Sequence, residues 1–269
     1  MASRVLAIAN QKGGVGKTTT AVNVAAGLAA AERRVLLVDG DPQANATSGV
    51  GLQRQSIATS TYDVLLDPTL AAEAVIRSVQ FELLDVMPAT PDLAAAEVEL
   101  AGEPGRELRM REGLEHLRGN YDFVIIDCPP SLGLITLNML AAADAVLIPL
   151  QCEYYALEGL SQLLRTIETV QQGVSPSLGI DGVLLTMFDS RLNLSRQVAE
   201  DARAHFGALV FESVVPRNIR LAEAPSFGKP IITYDVSSVG AQAYLGVVRE
   251  LIQRSERTEQ PEQPAIAVI

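Results

Sequence analysis

The chain has 269 residues, 48% of them hydrophobic, which is enough for a full core and too apolar for a disordered chain, so one large α/β domain is expected over two. Its 21 basic and 32 acidic residues leave a net charge of −11, which argues against a surface uniformly attractive to nucleic acid. No run of about eighteen apolar residues escapes charges or turn signals, and the start has no basic-then-apolar leader; with only two cysteines, a soluble chain in a reducing, cytoplasmic compartment is expected.

The first element in chain order is an apolar β-type run from Arg4 to Ala9. Asn10-Gln11-Lys12-Gly13-Gly14-Val15-Gly16-Lys17-Thr18-Thr19-Thr20 follows, and then Ala21, Val22, Ala25, Leu28 and Ala29 recur at helical spacing. Strand, glycine loop and helix in this order build an anion site. The glycines let backbone N–H groups turn inward, and a helix starting near Lys17 adds the positive end of its dipole. Gly13, Gly14, Val15, Gly16 and Thr19 then form the cradle of a polyphosphate, Lys17 reaches its β- and γ-phosphates, and the Thr18 hydroxyl coordinates Mg²⁺. Lysine occurs only at positions 12, 17 and 229, so two lysines in one loop do not reflect composition.

An ordinary P-loop has glycine where this chain has Gln11; here a second lysine, Lys12, precedes Gly13-Gly14. The motif Lys-Gly-Gly-x-Gly-Lys-Thr-Thr resembles the deviant P-loop of the ParA/MinD class of ATPases, and Asn10-Gln11 before it resembles the ParA/Soj branch. The resemblance implies a doubly wound, mostly parallel sheet flanked by helices, with ATP and Mg²⁺ as ligands. It also implies that Lys12 crosses a dimer interface to the partner subunit's nucleotide, adding a catalytic lysine to Lys17.

Val35 to Val38 reads as a buried strand ending in Asp39-Gly40-Asp41-Pro42-Gln43, carboxylates at the strand end where α/β sheets bind ligands. By resemblance this is the first switch, in which Asp41 orients the attacking water and Asp39 supports the metal. Gly40 stands where the family often has a bulky apolar residue, which is expected to loosen the switch. Residues 44–80 read as short helices and loops without legible chemistry. Leu83 to Met87 is a candidate strand, Pro88 to Leu93 resembles a family segment after it, and Glu97, Glu99, Glu103, Glu107, Glu112 and Glu115 read as solvated faces or turns. His116 and His205 lack partners at metal spacing and read as surface residues.

Phe123 to Ile126 is a central strand whose terminal Asp127 suits the Mg²⁺ shell, the Walker B role; Pro129-Pro130 resembles the family's second switch. Cys128 and Cys152 raise the rival pattern of the nitrogenase iron protein, which bridges a cluster with two cysteines per subunit. Cys128 follows Asp127 directly, so two buried structural thiols are expected instead. Ser131 lacks the frame of a hydrolase nucleophile.

Ala145 to Leu150 is another strand, and Glu153 to Leu160 resembles the ParA/Soj pattern. The next helix places Leu160, Leu163, Leu164 and Ile167 on one face, as core. Val183 to Met187 is a strand delivering Asp189-Ser190-Arg191, followed by a helix from Asn193 to Phe206 with Arg196 and Arg203 on one face. Val214 to Pro230 nearly matches a family signature, in which Pro216 and Asn218 contact the adenine. The last helix is expected from Val239 to Arg254, closing one P-loop domain over 1–254, and 255–269 is expected as a loose tail without the basic amphipathic pattern of a membrane helix.

The resemblance covers roughly residues 4–252 and implies a DNA-partitioning ATPase of weak basal activity. ATP joins two subunits, the homodimer binds double-stranded DNA without sequence preference, and a ParB-type centromere-binding partner stimulates the hydrolysis that releases it. No membrane partner is expected, and the chain is expected on the nucleoid. The charge distribution permits this, because residues 190–257 hold 9 basic and 7 acidic groups despite the acidic whole. Family members use arginines at positions matching Arg191 and Arg220, and Arg217 lies between them; Arg249 and Arg254 are further candidates. Two alternatives share the motifs: a MinD-like membrane-site-positioning ATPase, and an ATP-dependent metabolic ligase or kinase of the same fold.

Overall fold

In the computed structural model, residues 3–153 and 156–258 are described, those at 156–159, 257 and 258 by backbone only. Seven strands form one sheet: β1 (Arg4–Ile8), β2 (Val35–Asp39), β3 (Ile76–Arg77), β4 (Leu84–Met87), β5 (Phe123–Asp127), β6 (Ala145–Gln151) and β7 (Gly179–Thr186). Their order is β3-β4-β2-β5-β1-β6-β7, and only the β3–β4 pair is antiparallel. This is the expected doubly wound sheet.

Strand alternation divides the interior between the two faces. Val5, Ala7, Leu36, Val38, Val124 and Ile126 join one buried cluster, whereas Leu6, Ile8, Val35, Leu37, Phe123 and Ile125 join the other. Helix α1 (Lys17–Ala30) lies on the second face, under the helix Val239–Thr258. Being covered on both sides explains its alanines and its lack of a polar face. A methyl group at Gly27 would lie 2.6 Å from Val248 Cγ2, so the two helices need glycine there to approach this closely.

The helix Asn193–Phe206 has the expected bounds, and Leu160, Leu163 and Ile167 are buried as expected, with Leu164 partly buried beside them. Five of the six glutamates are exposed and Glu107 is half-buried; both histidines are exposed. The last helix departs from expectation by running to Thr258, four residues past Arg254. Ser255 Oγ donates back to Leu251 O at 2.9 Å and accepts from Arg4, and Arg33 pairs with Glu256 at 3.7 Å, so tertiary contacts hold the extra turn. The helix therefore extends to Thr258. Tyr154, Tyr155 and the tail from 259 onward lie outside the described residues.

Candidate nucleotide site

Strand order assembles the site. β5 lies between β2 and β1, with Asp127 in register with both Asp39 and Ile8, so two acidic strand ends and the glycine loop meet at one carboxyl edge. Gly14 and Gly16 have φ of 75° and 89°, a backbone that glycine adopts without strain, and added Cβ atoms at Gly13, Gly14 or Gly16 would meet nothing within 4 Å. The loop thus opens onto free space. α1 starts at Lys17 with no side-chain cap and no acidic residue in its first turn, leaving its N–H groups for an external anion.

The loop is tied to the strands around it. Asn10 Nδ2 donates to Pro149 O (2.7 Å) and Asn10 Oδ1 accepts from Lys12 N (2.9 Å); Thr186 Oγ1 donates to Val15 O (2.9 Å). Lys17 is buried with its Nζ on Lys12 O at 3.2 Å, and burial lowers its pKa, offset by Asp127 and other nearby groups. A buried cationic donor whose hydrogen bond goes to a backbone carbonyl, beside an uncapped helix start, suits a phosphate.

Asp39 is held by protein donors: Oδ2 accepts from Thr47 N (2.8 Å) and Thr47 Oγ1 (2.7 Å), and Oδ1 from Asp41 N (3.1 Å). Burial nevertheless pushes its carboxyl up to about 6. Asp127 is fully buried; among the described residues its carboxylate oxygens make no hydrogen bond of full geometry, although the nearby Thr18 side chain acts as a donor that lowers its pKa. Burial, then the negative charge of Asp39, raise its pKa well above the ordinary range. A buried carboxylate so poorly satisfied, beside a second one, is chemically suited to a hard dication. Among the described residues no group of three or more His, Cys, Asp or Glu could hold a metal alone. Mg²⁺ fits that pattern, since it keeps waters and phosphate oxygens in its shell.

Asp41 is buried, its Oδ1 accepting from Gln43 N at 2.9 Å. Gly40 is not loose: its N–H donates to Asp127 O at 2.9 Å, and an added Cβ would lie 2.8 Å from that oxygen and 3.1 Å from Met139 Cε. Met139 and the β5 backbone fill the space of a bulky residue. Strain falls instead on Ala44, buried with φ of 53°, just before the short helix Asn45–Gly49 that carries Thr47; Glu32 and Met187 share its left-handed backbone, with φ of 60° and 50°.

Two clefts flank the loop. One, of about 200 Å³, is lined by Gly16, Thr19, Thr186, Met187, Pro216, Arg217, Asn218 and Tyr244 among others, so Pro216 and Asn218 line the same cleft as Gly16. Asn218 Oδ1 caps the helix Ile219–Glu223 by accepting from Arg220 N at 2.9 Å, leaving its amide NH₂ to donate to a base. The other, of about 450 Å³, runs from Thr18 and Thr19 past Asn45 and Ser48 to Lys229.

The three arginines lie outside this buried chemistry. Arg191, 86% exposed, forks onto Asp189 at 2.9 and 2.6 Å; Arg220, 51% exposed, reaches Glu223 at 2.9 Å and Asp235 at 3.5 Å. Arg217, 66% exposed, lies 3.9 Å from Glu153 and lines the smaller cleft. Arg254 instead covers the Phe211 ring at 4.1 Å and pairs with Glu250, a structural position. Cys128 and Cys152 are free and buried, and burial raises Cys152 to about 11 and Cys128 further.

Thr47, Thr61, Glu153 and Tyr244 were not legible as site residues. Thr61 Oγ1 donates to Asp39 O at 2.8 Å, and the Tyr244 hydroxyl meets Thr20 Oγ1 at 3.0 Å, joining the last helix to the first. The clearest local signal was the run of small polar residues after Asp-Pro-Gln, which suits a helix cap.

Residues 3–180 match the family model described as AAA domain. The chain is 59% identical over 251 residues to the chromosome partitioning protein ParA of Myxococcus xanthus, covering 93% of this chain and 88% of that one. It is 54% identical over 248 residues to the sporulation initiation inhibitor protein Soj of Bacillus subtilis, covering 92% and 98%. Among solved structures it matches a protein named cobyrinic acid a,c-diamide synthase from Mycobacterium smegmatis, with bound ATP analogue and magnesium, at 41% identity and a TM-score of 0.83 over 95% of this chain and 97% of that one.

Proposed function

The chain belongs to the ParA/Soj family of chromosome-partitioning proteins, with the fold of a P-loop NTPase, and on that premise we propose that it is an ATP-dependent dimer switch for DNA partitioning. The observation that carries this reading is the open glycine loop with Lys12 and Lys17 at the strand edge that also holds Asp39 and the poorly satisfied Asp127. The uncapped N–H groups of Gly13 to Thr19 and the Lys17 ammonium bind the phosphates, while Pro216 and Asn218 hold the base. Thr18, with Asp127 and Asp39, would hold Mg²⁺, which would supply positive charge to the phosphate oxygens. Asp41 orients the attacking water and Lys12 reaches the partner subunit's phosphates. Cytoplasmic placement on the nucleoid and stimulation by a ParB-type partner belong to the same reading.

DNA binding rests on Arg191 and Arg220. Exposed ion pairs such as theirs are weak, so backbone phosphates displace Asp189 and Glu223 readily. Dimerisation doubles the patch and gives ATP its control over DNA. Gel filtration with ATP, ADP or no nucleotide, with and without DNA, tests the whole reading: a dimer and DNA retention in ATP alone are expected, and DNA retention independent of nucleotide contradicts it. Asp41→Ala is expected to keep ATP and the dimer while losing about a hundredfold in hydrolysis.

The 41% identity to a named synthase supports a second reading, a metabolic ligase, which requires ATP consumption coupled to a small molecule without DNA. A membrane role is tested by liposome flotation; among the described residues no helix is long and apolar enough to cross a membrane.

A further inference from the structure

Lys12 has a fixed backbone and a movable head. Its N–H is held by Asn10 Oδ1 at 2.9 Å, and its carbonyl accepts from Lys17 Nζ at 3.2 Å. Its ammonium does not turn into the glycine loop. It lies 3.2 Å from Glu153 Oε2, two residues past β6, on a surface where the two side chains keep 31% and 46% of their exposure. The other oxygen of Glu153 accepts from Gln151 Nε2 and lies 3.9 Å from Arg217 Nη2. One carboxylate therefore faces a loop lysine on one side, and on the other an arginine that lines the base cleft.

We propose that Glu153 is a positioning residue that docks Lys12 within its own subunit and so sets the threshold for ATP-dependent association. The proposal rests on the reading of Lys12 as a lysine that acts across the dimer. The exposure of the pair limits its strength to about fivefold in equilibrium. A phosphate group beside an open glycine loop competes for the ammonium with charge-assisted hydrogen bonds that are stronger than this exposed pair. The lysine thus stays docked until another subunit's nucleotide is presented, and then leaves. Its departure does not strand a bare charge, because Gln151 and Arg217 remain on Glu153. The same arrangement draws Arg217 toward the nucleotide side and leaves Arg191 and Arg220 as the outward-facing pair.

The test is Glu153→Gln, which removes the charge and keeps the shape. Sedimentation of the full chain with a non-hydrolysable ATP analogue and Mg²⁺ is expected to show association tightened about two- to tenfold at low salt, for two docked lysines released per dimer. The gain is expected to shrink at high salt, with monomer affinity for ADP unchanged. In a Lys12→Ala background the Glu153 substitution is expected to have no effect. A folded Glu153→Gln protein that associates like the parent, or more weakly, overturns the proposal, as does an effect that persists without Lys12. Lys12→Ala associating like the parent is a different failure: it removes the action across the dimer itself, on which Glu153 depends.

Discussion

The phosphate end of the site and the arginine face differ in how they are held. Asp39 and Asp127 are buried, and Asp39 and the base of the glycine loop are fixed by hydrogen bonds involving Thr47, Asn10 and Thr186, two of them reaching across more than a hundred residues of chain. Arg191 and Arg220 stand on the surface, each in a local pair with a residue two or three positions along. Reaction geometry demands the first kind of construction, because small displacements are costly there. Reversible attachment to phosphate demands the second, because each contact must be exchangeable.

The largest expected contrast comes from Lys17→Ala. It removes a buried cation from the phosphate cradle, and nucleotide affinity measured by titration calorimetry is expected to fall about a hundredfold or more. Unchanged affinity would break the assignment of the buried side. Arg191→Glu addresses the exposed side: with ATP, DNA affinity is expected to drop about tenfold at low salt, and the salt slope to flatten by roughly one to two units for a dimer, at an unchanged melting temperature. A lost fold instead would show that the surface pair is structural.

Asp127→Asn sharpens the comparison further. Burial raises the Asp127 carboxyl, so the folded state binds its proton more tightly than the unfolded state does. The resulting penalty is absent in acid below the ordinary carboxylate range, and it grows as pH rises through the raised value. In nucleotide-free protein at neutral pH, Asp127→Asn is therefore expected to raise the melting temperature, with the gain vanishing in acid. Destabilisation at neutral pH would mean that the carboxylate has a stabilising partner in solution. The smallest effect is expected from Ala44→Gly, which relieves a left-handed alanine at the cost of a freer unfolded chain; a net gain of a few tenths of a kcal/mol, read from denaturant midpoints, is expected. A loss would show that Ala44 is unstrained.

Much of the buried side was legible because its signals are local. A strand, three glycines and two lysines sit within seventeen residues, and Asp39 and Asp127 each terminate an apolar run. Pro216 and Asn218 were singled out by the resemblance alone, and they line the cleft beside Gly16. Thr47 and Tyr244 were not legible, since their roles depend on partners eight and 224 positions away that only the fold brings close. Gly40 misled for the same reason: the residue that fills its space is Met139, from another helix. The surface pairing of Arg220 with Glu223 was foreseeable from three-residue helical spacing.

The contact between the first and last helices bears on how the protein is made. The phosphate loop is complete within the first 20 residues, yet α1 is covered by Tyr244, Val247, Val248 and Leu251, and Gly27 is shaped to receive Val248. During synthesis at about 5–20 residues per second, the loop waits roughly 10–45 s for that cover. Until then the alanine-rich α1 presents an uncovered apolar side, and Thr20 lacks the hydroxyl it later meets. A ribosome stalled before Tyr244 would therefore carry a chain with the whole glycine loop in place and the helix behind it still uncovered.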